Sequence, residues 1–213
     1  MMVDWREYQY RYEGFRVESI DWVFREAFNT EDHEHPRVLL IGDSICYQNR
    51  STVMELLYPD VTVTYWSSAK CVLHPTYLAE LSLVLDEGRY DMVCFNNGLH
   101  SLSAPTDAWK KAYDGVVRYL LDRLPGVPVS IVLSTPITAP RKDAVPVINQ
   151  MTLDVAGKYG LAVVDLYTPM MEEQMQQYRT DDFHWGGAAI QTMAGILNAH
   201  IRARLGVGGP DAR

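Results

Sequence analysis

From residue 37 onward, short apolar runs alternate with amphipathic stretches. The runs over 37–42, 61–66, 91–96, 128–134 and 161–165 are near-continuously apolar, broken mainly by Thr, Ser and residues at their ends. Such runs suit strands buried on both faces of a parallel sheet. Between them, apolar positions recur with helical spacing near 48–57, 76–87, 106–123, 143–158 and 168–178, and again near 186–204. Asp107 near the start of the third stretch and Leu124-Pro125-Gly126 at its end are helix start and stop signals. The alternation predicts a three-layer α/β/α sandwich around a roughly five-stranded parallel sheet. In such sheets functional groups gather at the carboxyl ends of the strands. Ser44, Asn96, Asn97, Gly98, His100 and the Ser134-Thr135-Pro136 strand end all fall on that edge.

Residues 1–35 read differently. They are aromatic and charged, and Ile20, Phe24 and Ala27 fit one face of a helix. This predicts an aromatic-rich helical extension over 1–35, packed on the main domain or serving as a lid or dimer contact beside its active site. Glu31 to Pro36 is a polar linker. The domain proper then covers 36–205, and the Gly-rich stretch 206–213 is expected to fray.

The chain's 213 residues, 47% hydrophobic and 22% charged, fit one globular domain with a full core. A net charge of −8 argues against nucleic acid or an anionic membrane as the main partner. No run approaches the roughly 18 apolar residues of a membrane span. Residues 1–30 contain no apolar signal core. The odd set Cys46, Cys71 and Cys94 lacks metal-ligand spacing and reads as free thiols in a reducing, cytoplasmic compartment.

The chemistry concentrates in two motifs. Gly42-Asp43-Ser44 ends the first run, and Asp181-Asp182-Phe183-His184 precedes the last helical stretch. A serine at a strand-to-helix turn exposes its hydroxyl where free N–H groups create positive potential. A histidine can take that hydroxyl's proton. An acid three residues upstream can reach its other nitrogen and fix the tautomer. Each motif alone has a plain alternative: Asp and Ser are favoured helix caps, and Asp181 suits a surface turn. Asp182 competes for the acid role. Cys46 is an alternative nucleophile, expected instead to pack inside the first helix.

Ile41-Gly42-Asp43-Ser44 with Asp181-x-x-His184 resembles the SGNH/GDSL hydrolases, over roughly residues 37–204. The resemblance implies a flavodoxin-like fold, with Ser44 as nucleophile, His184 as base and Asp181 as the acid that orients it. It implies no cofactor and no metal. Two blocks depart from the family pattern. Where the family has an oxyanion-binding glycine after the second strand, this chain has Ser67-Ser68-Ala69. A backbone N–H of Ser67, Ser68 or Ala69 remains available in principle. Where the family has Gly-x-Asn-Asp, this chain has Asn96-Asn97-Gly98-Leu99-His100-Ser101. Anchoring on Gly98 puts His100 at the asparagine position, while Asn97 offers a neutral amide from one turn earlier. Asn97 is slightly favoured as the oxyanion donor, beside the Ser44 N–H. Asn96-Asn97-Gly98 also suits a plain tight turn. This segment is closer to the carbohydrate-esterase and PC-esterase-like branch.

The expected function is therefore a serine-type ester hydrolase acting on a small or carbohydrate ester through an acyl-enzyme. An acyltransferase with the same triad, and a flavodoxin-like binding module that keeps Gly-Asp-Ser as a cap, stay open. Homo-oligomerisation is also left open.

Overall fold

The computed structural model describes residues 3–208. Its centre is a six-stranded sheet of β1 (Val23–Ala27), β2 (Arg37–Gly42), β3 (Thr62–Ser68), β4 (Met92–Phe95), β5 (Val129–Val132) and β6 (Ala162–Val164). The strand order is β1-β3-β2-β4-β5-β6. Strands β2 to β6 run parallel, and β1 alone is antiparallel, on the outer edge of β3. The five parallel strands fall inside or within two residues of the five apolar runs.

Helices cover both faces. They are α1 (Ser44–Leu57), α2 (Tyr77–Asp86), α3 (Thr106–Arg123), α4 (Ala144–Tyr159), α5 (Tyr167–Met171), α6 (Glu173–Gln176) and α7 (Gly187–Leu205). Alternation along β2 sets the layers. Val38 and Leu40 point into the core under α1 and α7, with Ile45, Val53, Met193 and Leu197. Leu39 and Ile41 point the other way, into the core of α2, α3 and α4, with Leu81, Val116 and Ile148. Successive strand side chains face opposite sides, so a run apolar at every position is what a doubly covered strand requires.

The amino-terminal segment corrects the sequence expectation. Residues 3–35 form no α-helix, and their one helical element is a 3-10 turn at Trp5–Glu7 capped by Asp4. Where Ile20, Phe24 and Ala27 suggested a helical face, Val23–Ala27 is strand β1, in register with β3 from Val23 opposite Ser68 to Ala27 opposite Thr64. The cause is tertiary. The outer edge of β3 carries unpaired N–H and C=O groups beside fully buried side chains, and a paired strand satisfies them. That gain outweighs a weak local helical preference. There is thus no boundary at residue 35, because β1 belongs to the sheet. The segment before β1 is a strap. Tyr8 packs on Tyr119 of α3 with ring centres 5.5 Å apart, and Phe15 packs edge-on against His74 at 5.6 Å.

Two smaller differences have local causes. The predicted helix over 168–178 is split at Glu172, whose backbone is extended. The first helix begins at Ser44 rather than near 48, because Asp43 caps it. Gly206 ends α7 in a left-handed conformation (φ 69°), the usual glycine helix stop. The fraying expected over 206–213 falls mostly at residues 209–213, outside the described residues.

Candidate active site

Asp43, not Ser44, caps the first helix. It is the N-cap of α1, and its Oδ1 accepts a hydrogen bond from the Ile45 N–H at 2.9 Å. The capping role falls on Asp43, which leaves the Ser44 hydroxyl free. Ser44 is the first helical residue, so its own N–H has no acceptor within the helix. The turn into α1 is tight: a Cβ on Gly42 would stand 2.5 Å from Cys46 Cβ. Only glycine lets strand and helix pack this closely.

Ser44 meets His184 across 140 residues of sequence. The Ser44 hydroxyl lies 2.8 Å from His184 Nε2, and His184 Nδ1 lies 2.8 Å from Asp181 Oδ2. A carboxylate only accepts, so the ring hydrogen sits on Nδ1 and Nε2 is free to accept from the serine. The other carboxylate oxygen of Asp181 accepts the backbone N–H groups of Phe183 and His184, each at 2.7 Å. Desolvation pushes the Asp181 carboxyl upward. Its hydrogen bonds from the His184 ring and the two backbone groups outweigh this and lower it to about 2. Asp181 therefore stays ionised wherever the histidine works. Asp182 does other work: its side chain accepts the Thr138 hydroxyl at 2.6 Å, and its carbonyl accepts the Thr138 N–H.

The loop that carries His184 is clamped from both sides. Gln48, one turn after Ser44 on α1, bonds both polar backbone groups of Trp185: its Oε1 accepts the N–H at 3.1 Å, and its amide donates to the carbonyl. The indole of Trp185 is fully buried, and the Arg179 guanidinium stacks 4.0 Å above it. Sequence reading missed Gln48. Its signal is the four-residue spacing from Ser44, which puts both on one helical face.

The oxyanion candidates separate clearly. Asn97 is 3% exposed, and both ends of its amide are hydrogen-bonded. Its Oδ1 accepts from Val72 N–H and Ser101 Oγ–H, and its Nδ2 donates to the Lys70 carbonyl. Asn97, slightly favoured from sequence as the oxyanion donor, ties the loop after β3 to the loop after β4 in this structure. Asn96 donates to the Val132 carbonyl and to Ser134 Oγ. Gly98 is required sterically, since a Cβ there would fall 1.8 Å from Ser134 Oγ. At the end of β3 and in the loop after it, Ser68 Oγ accepts the Lys70 N–H and the Ala69 N–H is taken by the Trp22 carbonyl. His100, in contrast, shares a cleft of about 460 Å³ with Ser44 and His184. Glu18, Arg141 and Phe183 also line it. Glu18 and Arg141 were not singled out from sequence, since no local motif marks them, and Phe183 was given no role within the Asp181-x-x-His184 motif.

The remaining candidates are structural. Burial pushes the Cys46 thiol up to about 12 and the Cys71 thiol up to about 11, so neither is a ready nucleophile. All three cysteines are free. Among the described residues, no group of three or more His, Cys, Asp or Glu side chains is arranged to hold a metal ion. No helix among them is long and apolar enough to cross a membrane.

No family profile matches this chain, and no curated protein does. Solved structures do match. A lipase/acylhydrolase from Enterococcus faecalis superposes with a TM-score of 0.67 at 13% identity, over 79% of this chain and 96% of that one. A GDSL-like lipase from Bacteroides thetaiotaomicron gives 0.61 at 17% identity, over 79% and 88%. This is the SGNH-hydrolase fold. An acetylxylan esterase from Geobacillus stearothermophilus, solved as a catalytic mutant, shares it with a TM-score of 0.65 at 14% identity, over 81% and 95%. In the SGNH fold of this chain, β1 and the strap before it add to the five parallel strands expected from sequence.

Proposed function

We propose that this protein is a serine ester hydrolase that removes acetyl or other short acyl groups from a carbohydrate or small ester. The observation that carries the reading is the continuous relay from Ser44 through His184 to Asp181, with both contacts at 2.8 Å. The fold likeness to a lipase/acylhydrolase and an acetylxylan esterase supports it.

In this reading Ser44 Oγ attacks the ester carbonyl while His184 Nε2 takes its proton. The imidazolium that forms is stabilised by ionised Asp181. Collapse of the tetrahedral intermediate expels the alcohol, which receives the proton from His184. Water, deprotonated by the same ring, then releases the acid from Ser44. The Ser44 N–H at the start of α1 is one donor to the oxyanion, and the His100 side of the cleft supplies another. An acyltransferase would use the same acyl-enzyme, with a sugar hydroxyl in place of water.

The test is hydrolysis of p-nitrophenyl acetate by the protein and by Ser44→Ala. Losing a triad nucleophile costs on the order of a million-fold in turnover in a serine protease. Activity is expected to vanish, along with labelling by a fluorophosphonate. Retention of most activity in Ser44→Ala would overturn the assignment.

A further inference from the structure

The loop after β5 brings a cation into the cleft: Arg141 lines it together with Ser44 and His184. Two sets of bonds place that loop. Thr138 donates its N–H to the Asp182 carbonyl at 2.9 Å and its hydroxyl to the Asp182 carboxylate at 2.6 Å. These tie the loop to the segment that carries His184. The Lys142 N–H then meets the Ala139 carbonyl at 2.9 Å, and the Ala144 N–H meets the Arg141 carbonyl at 3.0 Å. Ile137 and Ala139 are buried and anchor the turn. The backbone at Arg141 is thus fixed, while the residue is exposed.

The charges around the cleft are unevenly matched. Glu18, the carboxylate that lines it, lies 3.0 Å from His100 Nδ1. Asp181, behind His184, already accepts three hydrogen bonds. The Arg141 guanidinium, in contrast, has no hydrogen-bond or ion-pair partner among the described residues. Leu99, Leu102, Pro140 and Phe183 supply apolar surface to the same cleft. An apolar cleft with a few placed polar groups is how small-molecule sites fix the orientation of a ligand. A guanidinium offers a planar fork of donors that fits a carboxylate or a phosphate. The chain as a whole carries a net charge of −8. A small anion is therefore not drawn in by the overall charge, and holding one takes a local cation.

We propose that Arg141 determines specificity by binding an anionic group of the substrate, so that the preferred ester is itself an anion. In the serine-esterase reading above, on which this inference rests, the acyl group is short. The anion therefore belongs to the alcohol part, as in an acylated sugar that also bears a carboxylate or a phosphate. The guanidinium holds that group on one wall while Ser44 attacks the ester carbonyl. Arg141 forms no covalent bond and moves no proton. Its contact is made in the bound substrate and in the transition state alike, so it acts on binding rather than on the chemical step.

Three phenyl acetates that differ only at the para position test it: the methyl carboxylate, the free carboxylate and the phosphate. For each protein, kcat/KM of either anionic ester is divided by that of the neutral one. Comparing this ratio between proteins cancels the intrinsic reactivity of the esters. Arg141→Gln should lower the ratio about five- to ten-fold for at least one anion, the scale of a partly exposed charge-assisted contact. The loss should appear in KM, and the arm that responds identifies the anion. Lys142→Gln removes the same charge from the next residue, which does not line the cleft, and should leave both ratios nearly unchanged. Unmoved ratios in Arg141→Gln would overturn the proposal. So would an equal fall in Lys142→Gln, which would mark a general effect of charge. Either result alongside Ser44-dependent turnover sinks the role of Arg141 alone. If no turnover depends on Ser44 and a fluorophosphonate does not label the protein, the serine reading fails and takes this inference with it.

Discussion

Asp181 and Asp182 are adjacent, of one chemistry, and placed in unlike roles. Asp181 receives three hydrogen bonds from the segment it precedes, one of them from the His184 imidazole. Asp182 receives its bonds from Thr138. Asp181→Asn should therefore lower kcat far more than Asp182→Asn, approaching the roughly ten-thousand-fold loss of the analogous serine-protease change. Comparing kcat for the two variants decides it, and a larger loss in Asp182→Asn would move the acid. The acid limb follows from the same contacts. The folded Asp181 carboxyl is depressed below its ordinary 3.8 to about 2. Its contribution to holding the loop is therefore present above about pH 4 and lost as pH falls from there through about 2. Because the side chain is half exposed, the effect is confined to the loop. Loss of His184 loop order by NMR between those pH values, ahead of global unfolding, is the expected result.

At the scale of elements, the site depends on how α1 is joined to the loop before α7. Both the proposed nucleophile and the clamp lie on α1: Ser44 at its first position and Gln48 one turn later. The clamp acts on the backbone, so it fixes the distance from His184 to Ser44 whatever side chain stands at 185. Gln48→Ala should leave the fold intact and lower kcat by about ten-fold or more, since small misplacement of a reacting group is costly. Gln48→Glu retains the acceptor for the Trp185 N–H and loses the donor to its carbonyl. It should fall between the two in kcat. Thermal melts alongside the kinetics separate loss of geometry from loss of fold.

At the scale of the whole molecule, the strap and β1 are one device with two ends. One end completes the sheet by pairing with β3. The other brings Glu18 and Trp22 against His100. Removing residues up to 27 would uncover the β3 edge and release both contacts. A chain lacking 1–27 should melt at lower temperature and self-associate through the freed edge. Light scattering and thermal melts check this. Unchanged melting would show that β1 is dispensable to the sheet.

The sequence alone determined what depends on local periodicity and on motifs. Runs apolar at every position have no stable place except a strand covered on both faces, so the five parallel strands and the helices between them were legible. Gly42-Asp43-Ser44 and Asp181-x-x-His184 were legible as well, because each motif carries its geometry within a few residues. Contacts between distant segments were not. Val23–Ala27 became a strand only because the edge of β3 required a partner, against a local pattern that favoured a helix. Asn97 and His100 have comparable donor chemistry, and sequence slightly favoured Asn97. Tertiary packing binds the Asn97 amide to Lys70 and Val72, which no local pattern announced. Gln48 and Glu18 bear no motif, since each acts on a partner more than 80 residues away. A hydrogen bond across such a separation is set by how layers stack and loops close, and no local pattern in the chain encodes it.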